Sequence, residues 1–263
     1  MVSRLGVMME EWRLLEDAVP KKASANLAVD EAVFTEKTAS KGPPTVRFWR
    51  SHPAVVIGHS QAVEAEVNLG FCGKKGIEVV RRFSGGGAVY QDPGTLNYSI
   101  TIDADHPLVK GKNVVQSQEA FCSGVIASLK AFSVRSAFEA PSNILINGKK
   151  VSGNAQARRK GVVLHHGTLL VSADLDSLVR SLDIPNPPKK AKGVRSKRSP
   201  VTNLSVELSR PIPIGEIVDA LRLGFEEIFS ARFFRGSLSG TEKNLADRFY
   251  TEKYSQDEWN FWR

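Results

Sequence analysis

The chain has 263 residues, 41% hydrophobic and 24% charged, globular values that exclude a collagen-like or low-complexity polypeptide. No apolar run approaches the ~18 residues of a membrane helix and the N-terminus lacks a signal-peptide pattern, so a cytoplasmic protein with no membrane partner is expected. Two isolated cysteines exclude a disulfide framework, and a net charge of +8 asks for an anionic partner: nucleic acid, a nucleotide or an acidic protein surface.

In chain order, Ala25, Ala28, Val29, Ala32 and Val33 recur at helical spacing over 24–35, with Asp30, Glu31 and Lys37 outward. Thr45 to Arg50 and Ala54 to Gly58 read as strands around the turn Ser51-His52-Pro53. Cys72 precedes the basic turn Gly73-Lys74-Lys75-Gly76, which would lower a thiol's pKa, although no general base stands beside it. A strand series fills 77–102 and ends in the alternation Leu96, Tyr98, Ile100, Ile102. A helix over 113–132 aligns Val114, Phe121, Val125, Leu129 and Phe132, with Cys122 an inert thiol on that apolar side. Ile144-Leu145-Ile146 and Lys149-Lys150-Val151 flank a hairpin turn at Asn147-Gly148, and Val162 to Val171 is a further strand. Asp174 caps a short helix ending near Leu182. Residues 215–229 are helical through Ile217, Leu221, Phe225 and Ile228, and Thr241 caps a last helix with Leu245, Ala246 and Phe249 inward. Helices and strands without a regular βαβ alternation predict an α+β fold. The segment 183–203 combines Pro185, Pro187 and Pro188 with the densest positive run, Lys189 to Arg198, and reads as a domain boundary or a long functional loop.

Three stretches carry chemistry. In Arg81-Arg82-Phe83-Ser84-Gly85-Gly86-Gly87-Ala88-Val89-Tyr90, three glycines interrupt a strand pattern beside two arginines and a serine. Bare backbone N–H groups and guanidinium forks both donate to phosphate or carboxylate, so this is an anion site or a Gly-rich turn with solvated arginines. In the second stretch, Ser152, Gly153 and Ala155 leave room beside a strand for Lys150, which either faces a cleft and an acidic guest or reaches to water. The third is His165-His166-Gly167-Thr168-Leu169-Leu170. Adjacent strand histidines face opposite ways and cannot chelate one metal together, so one faces the cleft and the other packs.

Together these stretches resemble the lipoate–protein ligase A family: Arg81 to Tyr90, Gly148 to Ala155 and His165 to Leu170 match its three motifs. Asn26 to Ala32, Phe48-Trp49-Arg50, Val56-Ile57-Gly58, Gln61, Lys192 to Ser196 and Val201 to Leu204 are similar too, so the likeness spans about 25–205. The tail Lys253 to Asn260 is similar to archaeal-type members. The resemblance implies one catalytic domain over 1–263, a mixed sheet flanked by helices as in biotin and lipoate ligases, with 183–203 a basic loop covering the adenylate. It implies that lipoate and ATP, with Mg2+, give lipoyl-AMP, whose acyl group passes to a lysine of a lipoyl domain. The acceptors would be the E2 subunits of 2-oxoacid dehydrogenases and the glycine-cleavage H protein.

On the same resemblance, Lys150 is the catalytic lysine. Trp49, Arg82, Ser84, Gly85, Gly86, Gly87, Ala88, Val89, Tyr90, Gln91, Asn143, Gly153, Ala155, His166, Gly167 and Thr168 would bind ATP, lipoate or lipoyl-AMP. Three departures stand out. Gln91-Asp92 replaces a His-Asp pair, and Asn143-Ile144 replaces the Asn-Asp tied to magnesium, so no metal ligand is assigned. The chain also stops at Arg263, without the small C-terminal domain of bacterial members, so a separate accessory subunit for activation is an expectation. The alternative is a transferase of the same fold that uses a cysteine thioester and no ATP. Its cysteine precedes a Phe-Asp-Ala-Pro-like segment, where this chain has Ser136-Ala137 before Phe138-Glu139-Ala140-Pro141. A nucleic-acid module would explain the charge but none of the three motifs.

Overall fold

The computed structural model describes residues 9–40, 42–182 and 193–263; the part of the expected basic loop that falls on 183–192 lies outside the described residues. The first half contains β1 (Glu10–Lys21), α1 (Ala23–Ala39), β2 (Thr45–Ser51), β3 (Ala54–Ile57), α2 (Val63–Glu66), α3 (Leu69–Lys75), β4 (Glu78–Arg81), β5 (Val89–Gln91), β6 (Thr95–Asp103) and α4 (Val114–Lys130). The second contains β7 (Ser136–Glu139), β8 (Asn143–Ile146), β9 (Lys149–Arg159), β10 (Val162–Leu170), α5 (Leu175–Leu182), α6 (Leu204–Glu207), α7 (Ile214–Phe229), β11 (Ala231–Arg235), α8 (Gly240–Phe249) and α9 (Asp257–Asn260). An eight-stranded sheet runs β11-β1-β2-β6-β10-β9-β8-β7, and a three-stranded one runs β4-β3-β5. Both mix parallel and antiparallel pairs, so the fold is α+β as the irregular alternation predicts.

Period two decides what each face of the large sheet does. Along β6, Leu96, Tyr98, Ile100 and Ile102 enter the main core with Phe121, Val125 and Leu129 of α4 and Ile217, Leu221 and Phe225 of α7. Each such burial contributes about 1.5–3 kcal/mol, so this side holds the fold. The alternate residues Thr95, Asn97, Ser99 and Thr101 are equally buried but polar, and they face the other way. That polar face lies under α1 and the small sheet, and it is the surface left for a site.

The helix expected over 24–35 is α1, but the charges expected outward turn inward, because the helix lies on polar strand faces. Asp30 is 2% exposed, with Oδ1 2.7 Å from Arg47 Nη1 of β2, and Lys37 Nζ reaches Asp103 Oδ2 at 2.7 Å. Glu31 is half-buried, bonded to Lys253 Nζ at 2.7 Å and to the Tyr254 hydroxyl. The Asn147-Gly148 turn has both residues at positive φ, 49° and 74°, as a two-residue hairpin needs. Asp174 caps α5 by accepting from the Ser177 amide at 3.0 Å. Ser239 rather than Thr241 caps α8, in a reciprocal bond with Glu242. Val114 and Ile228, expected inward, are 48% and 38% exposed at helix ends.

Candidate active site

The glycine turn between β4 and β5 closes over the polar face of the large sheet, and a cavity of about 280 Å3 lies between them. Its floor follows from strand register: Trp49 of β2 pairs with Asn97 of β6, Asn97 with Thr168 of β10, and Thr168 with Gly153 of β9. One row along, Ser99, His166 and Ala155 pair in the same way. Arg82, Gly86, Gly87, Ala88, Val89 and Gln91 form the opposite wall, with Asn143, Lys150 and Val194 to Lys197 at the sides. A second cavity of about 180 Å3 adjoins it, lined by Tyr90, Leu170, Leu178, Leu182 and Ser152 and sharing Ala88, Val89, Lys150, Gly153 and Thr168.

Lys150 stands where the two cavities meet. Gly153 makes its position possible, because a Cβ there would lie 2.6 Å from Lys150 Cε and Nζ. The ammonium makes no hydrogen bond or ion pair with a described residue. Burial and the Arg82 guanidinium push its pKa below the ordinary lysine value, and only Glu139 acts the other way. The lining of the first cavity includes Arg82, Lys150, Arg195 and Lys197 and no acidic residue. Such a hollow favours an anion, at about 1.5–3 kcal/mol per charge-assisted hydrogen bond.

Arg82 is present but occupied. Its Nε donates to Ser84 Oγ at 3.1 Å, and Nη2 donates to the carbonyls of Gly85 and Gly87 at 2.6 and 2.9 Å. Nη1 reaches Val56 O at 3.2 Å, so the guanidinium braces the glycine turn from inside. Gly86 sits at φ +91°, and a Cβ there would lie 2.9 Å from Arg82 Nη2, which explains a glycine at that position. Ser84 lines neither cavity but holds one wall to the floor, with Oγ 2.6 Å from His166 Nε2. The donor in this bond follows the tautomer: a proton on Nδ1 makes Ser84 the donor, and a proton on Nε2 makes it the acceptor. Burial, then Arg82 and His165, keep His166 well below its usual pKa and therefore neutral.

His165 takes the packing role, stacked on Phe121 with ring centroids 4.6 Å apart, and burial lowers its pKa to about 3. Gly85 is exposed and lines neither cavity, and Gly167 contributes backbone to the cavity while its Cα faces the core. A Cβ there would strike Asn154 Oδ1 at 2.2 Å and the Tyr98 hydroxyl at 2.5 Å.

The expectation that Arg81 serves an anion is corrected. It is fully buried, and its donors reach the carbonyls of Gly58, His59, Gln61, Trp259, Asn260 and Arg263. The basic turn does not activate Cys72 either; burial raises that thiol's pKa. Neither cysteine lines either of these two cavities, and Cys122 sits in the core as expected. The described part of the basic loop lines both cavities. Ser196 Oγ accepts from Ala88 N at 2.8 Å and from Gln61 Nε2 at 3.0 Å, and Lys150 N donates to Pro200 O at 2.7 Å. Sequence reasoning missed Asn97, Asn154 and Leu27 among the lining residues. For Asn97 the signal was available: it is the polar alternate of a strand whose other face is apolar.

The description "Lipoyl protein ligase A/B catalytic domain" matches residues 22–226. The octanoyltransferase LipM of Brevibacillus brevis is 32% identical, over 97% of this chain and all of its own. A bi-partite lipoate protein ligase from the archaeal lipoylation system of Thermoplasma acidophilum, described with its E2 lipoyl domain, superposes with TM-score 0.83. It is 33% identical and 97% of each chain is covered. A lipoate-protein ligase A structure bound with ATP gives TM-score 0.80 at 30% identity, over 97% of this chain and 99% of its own. The chain belongs to the lipoyl protein ligase A/B catalytic-domain family.

Proposed function

We propose that this chain is the catalytic chain of a lipoate–protein ligase. The lipoate carboxylate attacks the α-phosphorus of ATP, the bond to the β-phosphate breaks, and pyrophosphate leaves lipoyl-AMP behind. The amine of an acceptor lysine then attacks the anhydride carbonyl carbon; the carbon–oxygen bond to AMP breaks, and the surplus amine proton is released.

The observation that carries this reading is Lys150, a half-buried ammonium with no hydrogen-bonded or ion-paired partner among the described residues, on the wall common to both cavities. A carboxylate in one and a phosphate in the other would share it. Negative charge grows on the phosphate oxygens in the first step and on the carbonyl oxygen in the second, and a fixed cation stabilises both. In this reading Trp49, Gln91, Ala155, His166 and Thr168 surround the acyl group. Ala88, Val89, Tyr90, Asn143 and Gly153 serve the nucleotide, and Arg82 with Ser84 sets the glycine turn from Gly85 to Gly87. Mg–ATP needs few protein ligands. Asn143 and Glu139, already bonded at 3.0 Å, would hold that ion, because Ile144 is buried in the core and offers no carboxylate. The ATP-bound neighbour supports the nucleotide. The Thermoplasma ligase supports an E2 lipoyl domain as acceptor, with the glycine-cleavage H protein in the same class, and its bi-partite make-up supports a separate accessory subunit.

The octanoyltransferase relative favours a second reading. A cysteine-based transferase needs a thiol at the cavity, whereas Cys72 and Cys122 line neither and Ala137 precedes Phe138. The test incubates the chain and a lipoyl domain with lipoate, ATP and Mg2+, with preformed lipoyl-AMP, or with an octanoyl carrier protein and no ATP. Mass spectrometry of the acceptor is expected to show lipoylation from lipoyl-AMP and none from the carrier. Acylation from the carrier without ATP would establish the transferase instead.

A further inference from the structure

We propose that Asn97, with Trp49 and Gln91, determines acyl specificity by recognising a sulfur-bearing acyl terminus and disfavouring a saturated alkyl one. This deepens the ligase reading and rests on it only through the assignment of the first cavity to an acyl group. All three residues line that cavity and are at least nine-tenths buried, with 1%, 2% and 4% exposure for Asn97, Trp49 and Gln91. Asn97 Nδ2 and Oδ1, Trp49 Nε1 and Gln91 Oε1 have no hydrogen-bond partner among the described residues. A buried amide with neither end paired, as in Asn97, is costly, and with the Trp49 N–H and Gln91 Oε1 also unpaired around the same hollow it points to a guest that supplies polar contact.

Position fits the acyl terminus. Asn97 lies two strands from Gly153, the residue against which Lys150 packs, and Trp49 lies three strands away. At ~4.8 Å per strand, Asn97 stands about 9.5 Å from the end that holds the carboxyl group. An extended chain advances about 1.2 Å per bond, as a backbone does over its three bonds per residue, so a lipoyl group's ring sulfurs lie about 7–9 Å from its carbonyl carbon. Those sulfurs are weak acceptors that can meet the two donors, the Trp49 Nε1–H and the Asn97 Nδ2–H. An octanoyl chain of similar reach offers only methylenes there and leaves the same groups unpaired. A site built with polar groups rejects an analogue lacking the partner more strongly than an apolar pocket rejects an added group.

The experiment is calorimetric binding of lipoate and of octanoate, without ATP, to the parent chain and to Asn97→Leu and Trp49→Phe. The parent is expected to prefer lipoate. Asn97→Leu, which keeps side-chain size, should weaken lipoate, tighten octanoate and shrink the preference about five- to tenfold. Its melting temperature should be no lower than the parent's, because an unpaired buried amide has been replaced by an alkyl group. Trp49→Phe should move the preference in the same direction by a smaller factor. An unchanged preference while both acids bind would overturn this inference and leave the ligase reading standing. A lower melting temperature would identify Asn97 as structural and overturn it as well. If neither acid binds the parent, the inference falls with the acyl cavity itself.

Discussion

Lys150 and His165 show how burial sets opposite tasks for two titratable residues. Lys150 is a cation with no hydrogen-bonded or ion-paired partner among the described residues and only Glu139 to offset its burial, and that cost is repaid when an anion arrives. Replacing it with methionine keeps the stem and removes the charge. Acyl-adenylate formation by Lys150→Met is expected to fall about 10²–10³-fold, the loss typical of one preorganised donor, while its melting temperature stays level or rises. A rate within tenfold of the parent's would take Lys150 out of the chemistry. For His165 the sign runs through protons. Its folded pKa is lowered to about 3 from 6.5, so below pH 6.5 the unfolded chain binds a proton that the folded chain does not. The stability it contributes is complete above pH 6.5 and is lost as pH falls toward about 3, at ~1.4 kcal/mol per unit. His165→Phe, still able to stack on Phe121, should flatten the slope of urea stability between pH 6.5 and 4 by that amount. An unaltered slope would mean that His165 titrates normally in the fold.

At the scale of elements, what the sequence revealed depended on periodicity. α4 and α7, with their regular apolar stripes, and β6 and β10, with apolar alternation, could be read within a few residues. β1, whose pattern mixes Trp12, Leu14 and Leu15 with charges, and the short β11, α2 and α9 could not, because pairing and docking rather than local pattern define them. The three site motifs were legible as motifs, and the resemblance names Arg82 alone, yet residue chemistry by itself does not separate the two arginines, since both lie in one dipeptide and only tertiary contacts distinguish them. Arg81 binds six carbonyls from the loop after β3 and the segment around α9, so it staples those elements under the glycine turn. Lysine cannot reproduce a planar fork spread over two segments. Arg81→Lys should cost about 2–4 kcal/mol in denaturant unfolding. Hydrogen exchange should quicken in 58–61 and 257–263 together; quickening in one alone would mean that they are not joined through this side chain.

For the whole molecule, the +8 charge divides into two populations that salt should separate. Arg82 and Lys150 lie inside the cavity, where low solvent access limits screening; Arg195, with a side chain about half exposed, and Lys197 lie at its rim in solvent. In the proposed ligase, lipoate and ATP would have to reach the buried pair, whereas an acceptor domain would meet the rim and the outer surface first. Opposite charge on such an acceptor speeds encounter over roughly a Debye length, about 10 Å at 0.1 M salt and 3 Å at 1 M. For an acidic lipoyl domain, kcat/KM for transfer from preformed lipoyl-AMP should therefore fall about tenfold or more between low and high salt. The affinity for lipoyl-AMP itself should change far less over the same range, because its partners are enclosed. Removing charge at the rim with Arg195→Gln and Lys197→Gln should flatten the acceptor's salt dependence and leave that of lipoyl-AMP binding in place. Equal salt slopes for the two steps would show that the surface charge does not guide the acceptor, and that its docking depends on shape and apolar contact instead.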